Sequence, residues 1–325
     1  MIEFKNISVT YPGGVKALNN VSLNITEGDF VIIVGMSGAG KSTLLRTINN
    51  LVKPTEGEVI VDSRNVTNAS KKEMKSIRSD IGMIFQTFNL VNRSSVLKNV
   101  LTGRLSQVST IRSIFGMWPQ KDKDIAFESL NKVEILEKAY VRGSNLSGGQ
   151  QQRVGIARAL AVNPDVLFMD EPFSALDPLI RREMQDEFLR LRKLLKKTIV
   201  FITHDFNEAI RIADRIAIMK DGEVIQIGTP EELLLHPETN YVAEFTKNVD
   251  RAKVLTVSAV MKPAESHPEL TKTVSDKATI GQVASEVLRA NKAFGVQNEA
   301  GELVGTLTPD TVLNVMVDDL DGGQT

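Results

Sequence analysis

Eight consecutive residues, Gly35-Met36-Ser37-Gly38-Ala39-Gly40-Lys41-Ser42, fit the pattern G-x-x-x-x-G-K-[ST]. Glycines at that spacing let a backbone curl until its N–H groups point inward, where they can hold phosphate oxygens. Ser37, Gly38, Ala39 and Gly40 form that curl, with Gly35 at its start. Lys41 adds a point charge near the β and γ phosphates. Ser42 offers an oxygen to Mg²⁺, and a helix running on from Thr43 aims its positive end at the anion. A glycine-rich turn by itself is weak evidence. Here an apolar run, residues 30–34, precedes it, and Leu44, Leu45 and Ile48 follow on one helical face. Strand, loop and helix is the context a phosphate loop requires.

About 130 residues later, Val166-Leu167-Phe168-Met169 runs into Asp170-Glu171. An apolar strand ending in Asp170 can place a carboxylate beside the phosphate loop, where it holds Mg²⁺ through water. Glu171, one residue on, is placed to polarise an attacking water. Ile199-Val200-Phe201-Ile202-Thr203 is followed in the same way by His204, which could reach a γ-phosphate. A strand ending in Asp-Glu is ordinarily just a strand end, and a lone histidine is usually structural. Three apolar strands that each end in a functional candidate predict one crevice at the carboxyl edge of a sheet. Leu146-Ser147-Gly148-Gly149-Gln150 opens a further helical stretch. Its plain reading is a helix start capped by Ser147; its other reading is a second anion-binding helix end. Two such ends with one set of acids suggest composite sites shared between two chains.

These residues must be positioned by a fold, and the rest of the sequence indicates which. The chain has 325 residues, 42% hydrophobic and 24% charged, with net charge −1. That excludes a disordered chain and a generally basic nucleic-acid binder, and the length suggests two domains or one large domain with an appendage. With no cysteine, disulfides, thiol catalysis and cysteine zinc sites are excluded, and His204, His236 and His267 are too scattered for a metal cluster. No apolar run approaches the roughly 20 residues that span a bilayer. The first residues carry no signal-peptide pattern, so a cytosolic protein is expected, with any membrane part supplied by another chain.

The first 250 residues read as α/β. Ile2 and Phe4, then Val21, Leu23 and Ile25, alternate like half-buried strands. The continuous apolar runs suit strands buried on both faces. Ile180, Met184, Phe188, Leu191 and Leu195 make one helix face. Residues 216–227 read as a hairpin about Asp221-Gly222. A boundary is expected near residues 250–253, followed by a small β-α-β-β-α tail with Ile280, Val283, Val287 and Leu288 on a helix face. The charged stretches at residues 71–75 and 121–124 read as solvated surface. The end, with Asp318, Asp319 and Asp321, reads as a solubilising tail.

Phosphate loop, Leu-Ser-Gly-Gly-Gln signature, acidic strand, Ser174-Ala175-Leu176-Asp177 loop and His204 occur in the order found in ABC transporter nucleotide-binding subunits, over roughly residues 1–245. The chain closely resembles that family. The resemblance implies a P-loop NTPase fold: a parallel core sheet, an antiparallel β subdomain, and a helical subdomain at about residues 87–160. A cassette over residues 1–250 would then be followed by a CBS-like regulatory domain over 251–325. The resemblance also implies that Tyr11 stacks on adenine and that Gln86 touches Mg²⁺ and the attacking water. Ser147, Gly148, Gly149 and Gln150 would meet the ATP of the opposite protomer, and Asp177 would lie at the dimer seam. The implied assembly is a homodimer of ATPase subunits that binds ATP and Mg²⁺. It would sit peripherally on the cytoplasmic face of the cell (inner) membrane, with permease subunits and, indirectly, an extracytoplasmic solute-binding protein. No nucleic-acid partner is expected.

The resemblance divides along the chain. Residues of about 80–160 are similar to phosphonate importers, residues of about 168–262 to glycine betaine/proline importers, and residues of about 254–317 to the single CBS-type repeat of the latter. The coupling segment favours a phosphonate-type importer; the alternative is an osmoprotectant importer, and a mosaic of the two is conceivable. Two further classes fit poorly. A DNA-repair or translation ATPase would need a long insertion or a second cassette, and a nucleotide-sensing scaffold would not need Lys41, Glu171 and His204 together.

Overall fold

The computed structural model describes residues 2–263 and 272–321, with side chains to residue 317. The acidic terminus therefore lies outside the described side chains. The chain forms two compact units, residues 1–205 with 217–224, and residues 206–216 with 225–325.

The strands of the first part of the chain are β1 (Ile2–Thr10), β2 (Lys16–Ile25), β3 (Phe30–Val34), β4 (Glu56–Val61), β5 (Arg64–Asn65), β6 (Ile81–Ile84), β7 (Val166–Asp170), β8 (Thr198–Thr203), β9 (Arg215–Lys220) and β10 (Glu223–Gly228). One sheet runs β2-β1-β4-β5 and is antiparallel. A second runs β10-β9-β3-β8-β7-β6. Its central strands are parallel, with Val34 opposite Thr203, Asp170 opposite Ile202 and Ile84 opposite Met169. Every residue of β3 and β8 is buried, as continuous apolar runs in a parallel sheet require.

The α-helices of the first unit are α1 (Lys41–Ile48), α2 (Lys71–Ser79), α3 (Val96–Leu101), α4 (Thr110–Ile114), α5 (Gln120–Lys132), α6 (Gly148–Ala161) and α7 (Pro178–Leu195). The face of α7 expected from its periodicity is the one that packs: Met184, Phe188 and Leu191 are buried. Phe188 meets Phe30 of β3 edge-on at 5.8 Å between centroids, and Phe173 lies 5.7 Å from Phe201 of β8. Such aromatic contacts are directional. Through Phe173 they tie the loop after β7 to the two central strands. The turn after α3, residues 102–104, is joined to α5 and α6 by a buried pair, Arg104 Nε to Asp122 at 2.8 Å, with Arg104 also donating to the Ala161 carbonyl at 3.0 Å.

Beyond residue 250 the described strands are β11 (Lys262–Pro263), β12 (Thr273–Ser275), β13 (Phe294–Gln297) and β14 (Leu303–Leu307), in the order β11-β14-β13-β12. β12 is parallel to β13; the other pairs are antiparallel. Helix Ile280–Ala290 buries Ile280, Val283, Ala284 and Val287, and helix Pro309–Asp321 follows β14. No helix among the described residues is long and apolar enough to cross a membrane.

Candidate functional site

Neighbouring strands β3, β8 and β7 deliver their residues to one sheet edge: the phosphate loop after Val34, His204 after Thr203, and Asp170-Glu171 at the end of β7. Between them opens a cavity of about 460 Å³, walled by residues 37–43, Ala17, Glu171 and His204. Gly40 caps α1 with φ 99°, a left-handed conformation that costs glycine little, and no side chain occupies the helix end. The first N–H groups of α1 are therefore left for a ligand.

Lys41 is buried, and its ammonium donates to the carbonyls of Gly35 at 2.7 Å and Met36 at 3.0 Å. Burial holds its pKa below the ordinary lysine value, against the opposing pull of Glu171 and Asp170. The Ser42 hydroxyl donates to Asp170 Oδ1 at 3.3 Å. Burial pushes the Asp170 carboxyl above its ordinary range, while the Ser42 hydrogen bond works the other way. A buried carboxylate that is costly to ionise gains from a cation beside it. A hydroxyl and a carboxylate in contact, with open helix-end amides and a buried ammonium alongside, form a donor set that fits Mg²⁺ on a nucleoside triphosphate.

Glu171 has φ 45°, unusual for a residue with a side chain and costing on the order of 1–3 kcal/mol. Its N–H donates to the Ile202 carbonyl at 3.0 Å, and its own carbonyl accepts from Ser174 N–H at 3.2 Å and Oγ at 2.9 Å. These bonds hold the strained turn. The carboxylate meets His204 Nδ1 at 3.1 Å. Arg181 braces the same loop, donating to the carbonyls of Phe173, Ser174 and Leu176 at 3.2 to 3.4 Å.

The remaining expected residues are dispersed. The Tyr11 hydroxyl lies 3.3 Å from Thr43 Oγ1, at the mouth of the loop. Gln86 is exposed, two residues beyond β6, and does not wall the cavity. Arg158 of α6 holds that segment by donating to Asn89 and Phe88 carbonyls at 2.7 and 3.0 Å. Ser147 caps α6: its Oγ accepts the Gln150 N–H at 3.4 Å, while its N–H donates to Gln150 Oε1 at 3.1 Å. Gly149 is there for closeness, since a Cβ would sit 2.9 Å from Ile180 Cγ2. Ser147, Gly149 and Gln150 line another cavity of about 240 Å³, which shares no wall residue with the first. Asp177 is exposed and caps α7, accepting the Ile180 N–H at 3.1 Å. Arg181 and Arg158, both bracing backbone carbonyls, went unnoticed in the sequence. Only the bare presence of arginines on helices α7 and α6 could have pointed to them.

Residues 18–174 match the family model for the ABC transporter. The trimethylamine N-oxide transport system ATP-binding protein TmoW of Pelagibacter ubique is 42% identical over 94% of this chain and 87% of its own length. The phosphonates import ATP-binding protein PhnC of Shouchella clausii is 50% identical over 71% of this chain and 87% of its own. The solved dimeric, post-hydrolysis structure of the ATP-binding cassette MJ0796 with ADP and Pi is 40% identical, with a TM-score of 0.60 over 71% of this chain and 99% of that one. With the phosphate loop, acidic strand and histidine at one sheet edge, these likenesses establish that the chain belongs to the ABC transporter family as its ATP-binding subunit, an ATPase that works with Mg²⁺.

Proposed function

We propose that this chain is the motor of an importer, working as two copies that each complete the other's ATP site. The carrying observation is the separation of the two helix ends. Within one chain, α1 and the signature helix α6 line different cavities. A triphosphate held by α1 therefore reaches a signature only on a second chain.

Ser42 and Asp170, joined by Gln86 from the exposed segment after β6, would hold Mg²⁺, which would supply charge neutralisation at the phosphates. Tyr11 stacks on the base. Residues 37–43 hold the triphosphate, and Lys41 exchanges its carbonyl partners for phosphate oxygens. Glu171 accepts a proton from water as the water oxygen bonds to the γ-phosphorus and the bond to the bridging oxygen breaks. His204, already in contact with Glu171, takes up charge on the transferred group. Ser147, Gly148, Gly149 and Gln150 of the opposite copy close over it, and Asp177 lies at the seam. Hydrolysis removes the shared ligand, and the pair opens against permease subunits.

The cassette ends near residue 250, and the tail is a single CBS-type repeat that regulates it. The assembly sits peripherally on the cytoplasmic face of the cell (inner) membrane, fed by a solute-binding protein outside. The cargo is of the phosphonate class, a reading supported by the phosphonate-like segment at about residues 80–160 and by PhnC relatives. A second reading, an amine osmolyte such as glycine betaine or trimethylamine N-oxide, is favoured by one observation: the likeness to TmoW runs over 305 residues, whereas that to PhnC runs over 232.

Glu171→Gln tests the chemistry. Turnover is expected to fall about 10²- to 10⁴-fold while ATP is retained and the chain elutes as a dimer. Unchanged turnover removes Glu171 from the role assigned to it. Uptake of labelled methylphosphonate against trimethylamine N-oxide, with the permease that co-purifies, decides the cargo.

A further inference from the structure

A second cavity, of about 340 Å³, lies away from the nucleotide site. One wall is helix α2, which presents Lys71, Lys75 and Arg78; Thr102 and Ser106 face them. The three cations are spaced four and three residues apart, so they form one stripe, beside the stripe that buries Met74 and Ile77. No carboxylate walls the cavity. The two acids nearest in sequence are committed elsewhere: Glu73 accepts the Ser70 N–H at 2.7 Å in the capping box of α2, and Asp80 pairs with Arg64 at 2.9 Å. Arg78 is anchored through carbonyls, donating to Asn49 at 3.0 Å and Asn50 at 3.4 Å, which fixes the guanidinium without neutralising it. Lys71 and Lys75 make no hydrogen bond or ion pair among the described residues.

Two less exposed arginines of the same unit are arranged differently. Arg104 is matched by Asp122, and Arg153 by Glu187 at 2.7 Å with Glu134 and Glu183 nearby. Lys71, Lys75 and Arg78 are exposed at the recess, and the repulsion among like charges held side by side there is relieved when a counter-charge enters. The Thr102 hydroxyl donates to the Asn99 carbonyl at 2.6 Å, so the ammonium and guanidinium donors converge with the Ser106 hydroxyl, a set that suits a tetrahedral oxyanion.

We propose that this cavity is a binding site for an oxyanion of the phosphate and phosphonate class, distinct from the nucleotide site. Two sources carry that chemistry: a free anion, and the headgroup of an anionic phospholipid. The proposal stands apart from the reading of ATP hydrolysis, because its readout is anion binding and not turnover.

The test uses the full chain with the phosphate loop filled by ADP and Mg²⁺. Inorganic phosphate and methylphosphonate are titrated by calorimetry into the native protein and into Lys71→Ala/Lys75→Ala. Co-sedimentation is measured with phosphatidylcholine vesicles with and without phosphatidylglycerol. Anion retained beside Lys41 is common to both forms, so only the difference counts. Loss of two charge-assisted donors is expected to weaken binding at least about tenfold. The Lys71→Arg/Lys75→Arg form should restore it, and all three forms should turn over ATP alike. A difference with the free anions assigns the site to a soluble ligand; a difference only with phosphatidylglycerol vesicles assigns it to a headgroup. Equal binding by native and alanine forms to every probe, or binding by neither, overturns the proposal.

Discussion

Two helix ends in this chain carry phosphate-binding motifs, and they are finished in opposite ways. Helix α1 begins at Gly40 with no side chain on its exposed amides. Helix α6 begins at Ser147, whose hydroxyl and N–H are both satisfied by Gln150. The first end is complete only with an anion on it. The second is capped within one chain, and because the Ser147 hydroxyl only accepts in that cap, its proton is left to donate to a phosphate. The same contrast holds for the surroundings. Lys41 is buried between two carbonyls and within reach of two carboxylates, whereas the signature residues line the rim of a separate recess. On the function proposed above, the nucleotide is held first by α1, and α6 is a latch engaged from the other copy.

The sharpest way to break this asymmetry is at Lys41. Lys41→Ala removes the buried cation that answers the phosphates. Turnover should fall on the order of a hundredfold or more, the usual consequence of losing one preorganised group. Filter binding should show ATP no longer retained, while circular dichroism shows an intact α6. Retention of ATP at native strength would mean that the helix end alone holds the anion. Gly40→Ala acts next, on the backbone. Its Cβ would sit 2.5 Å from the Ala17 carbonyl and 2.9 Å from Leu18 Cδ2, in a conformation that side chains avoid. The unfolding midpoint should drop by the equivalent of about 1–3 kcal/mol. A drop within a few tenths would show that the loop relaxes freely.

Much of the nucleotide site was legible because β3, β7 and β8 are unbroken apolar runs, each ending in a residue with obvious chemistry. The burial such runs demand places all three inside the sheet, but their order β3-β8-β7 comes only from the structure. Strand β6, Ile81-Gly82-Met83-Ile84, is short and interrupted by glycine, so it does not read as a core strand. The left-handed turn at Glu171 is hidden for a different reason: glutamate has no preference for it, and the Ile202 and Ser174 contacts impose it. Arg181 and Arg158 act on carbonyls, and a carbonyl carries no sequence identity. Lys71 and Lys75 read as solvated surface and are exposed; what composition does not give is the recess between them and Ser106.

The smallest expected effect is the most discriminating. At an N-cap, serine to alanine costs about 1 kcal/mol, while serine to glycine costs only a few tenths. Ser147→Ala should therefore lower the unfolding free energy measurably, and Ser147→Gly barely. Both lack the hydroxyl. If that hydroxyl serves the partner's nucleotide, the two variants lose turnover equally despite their unequal stability, and their ATP-dependent dimers weaken together. If turnover instead follows stability, with the glycine form near native, then Ser147 is a cap and nothing more, and the difference between α1 and α6 is that of a ligand site and an ordinary helix start.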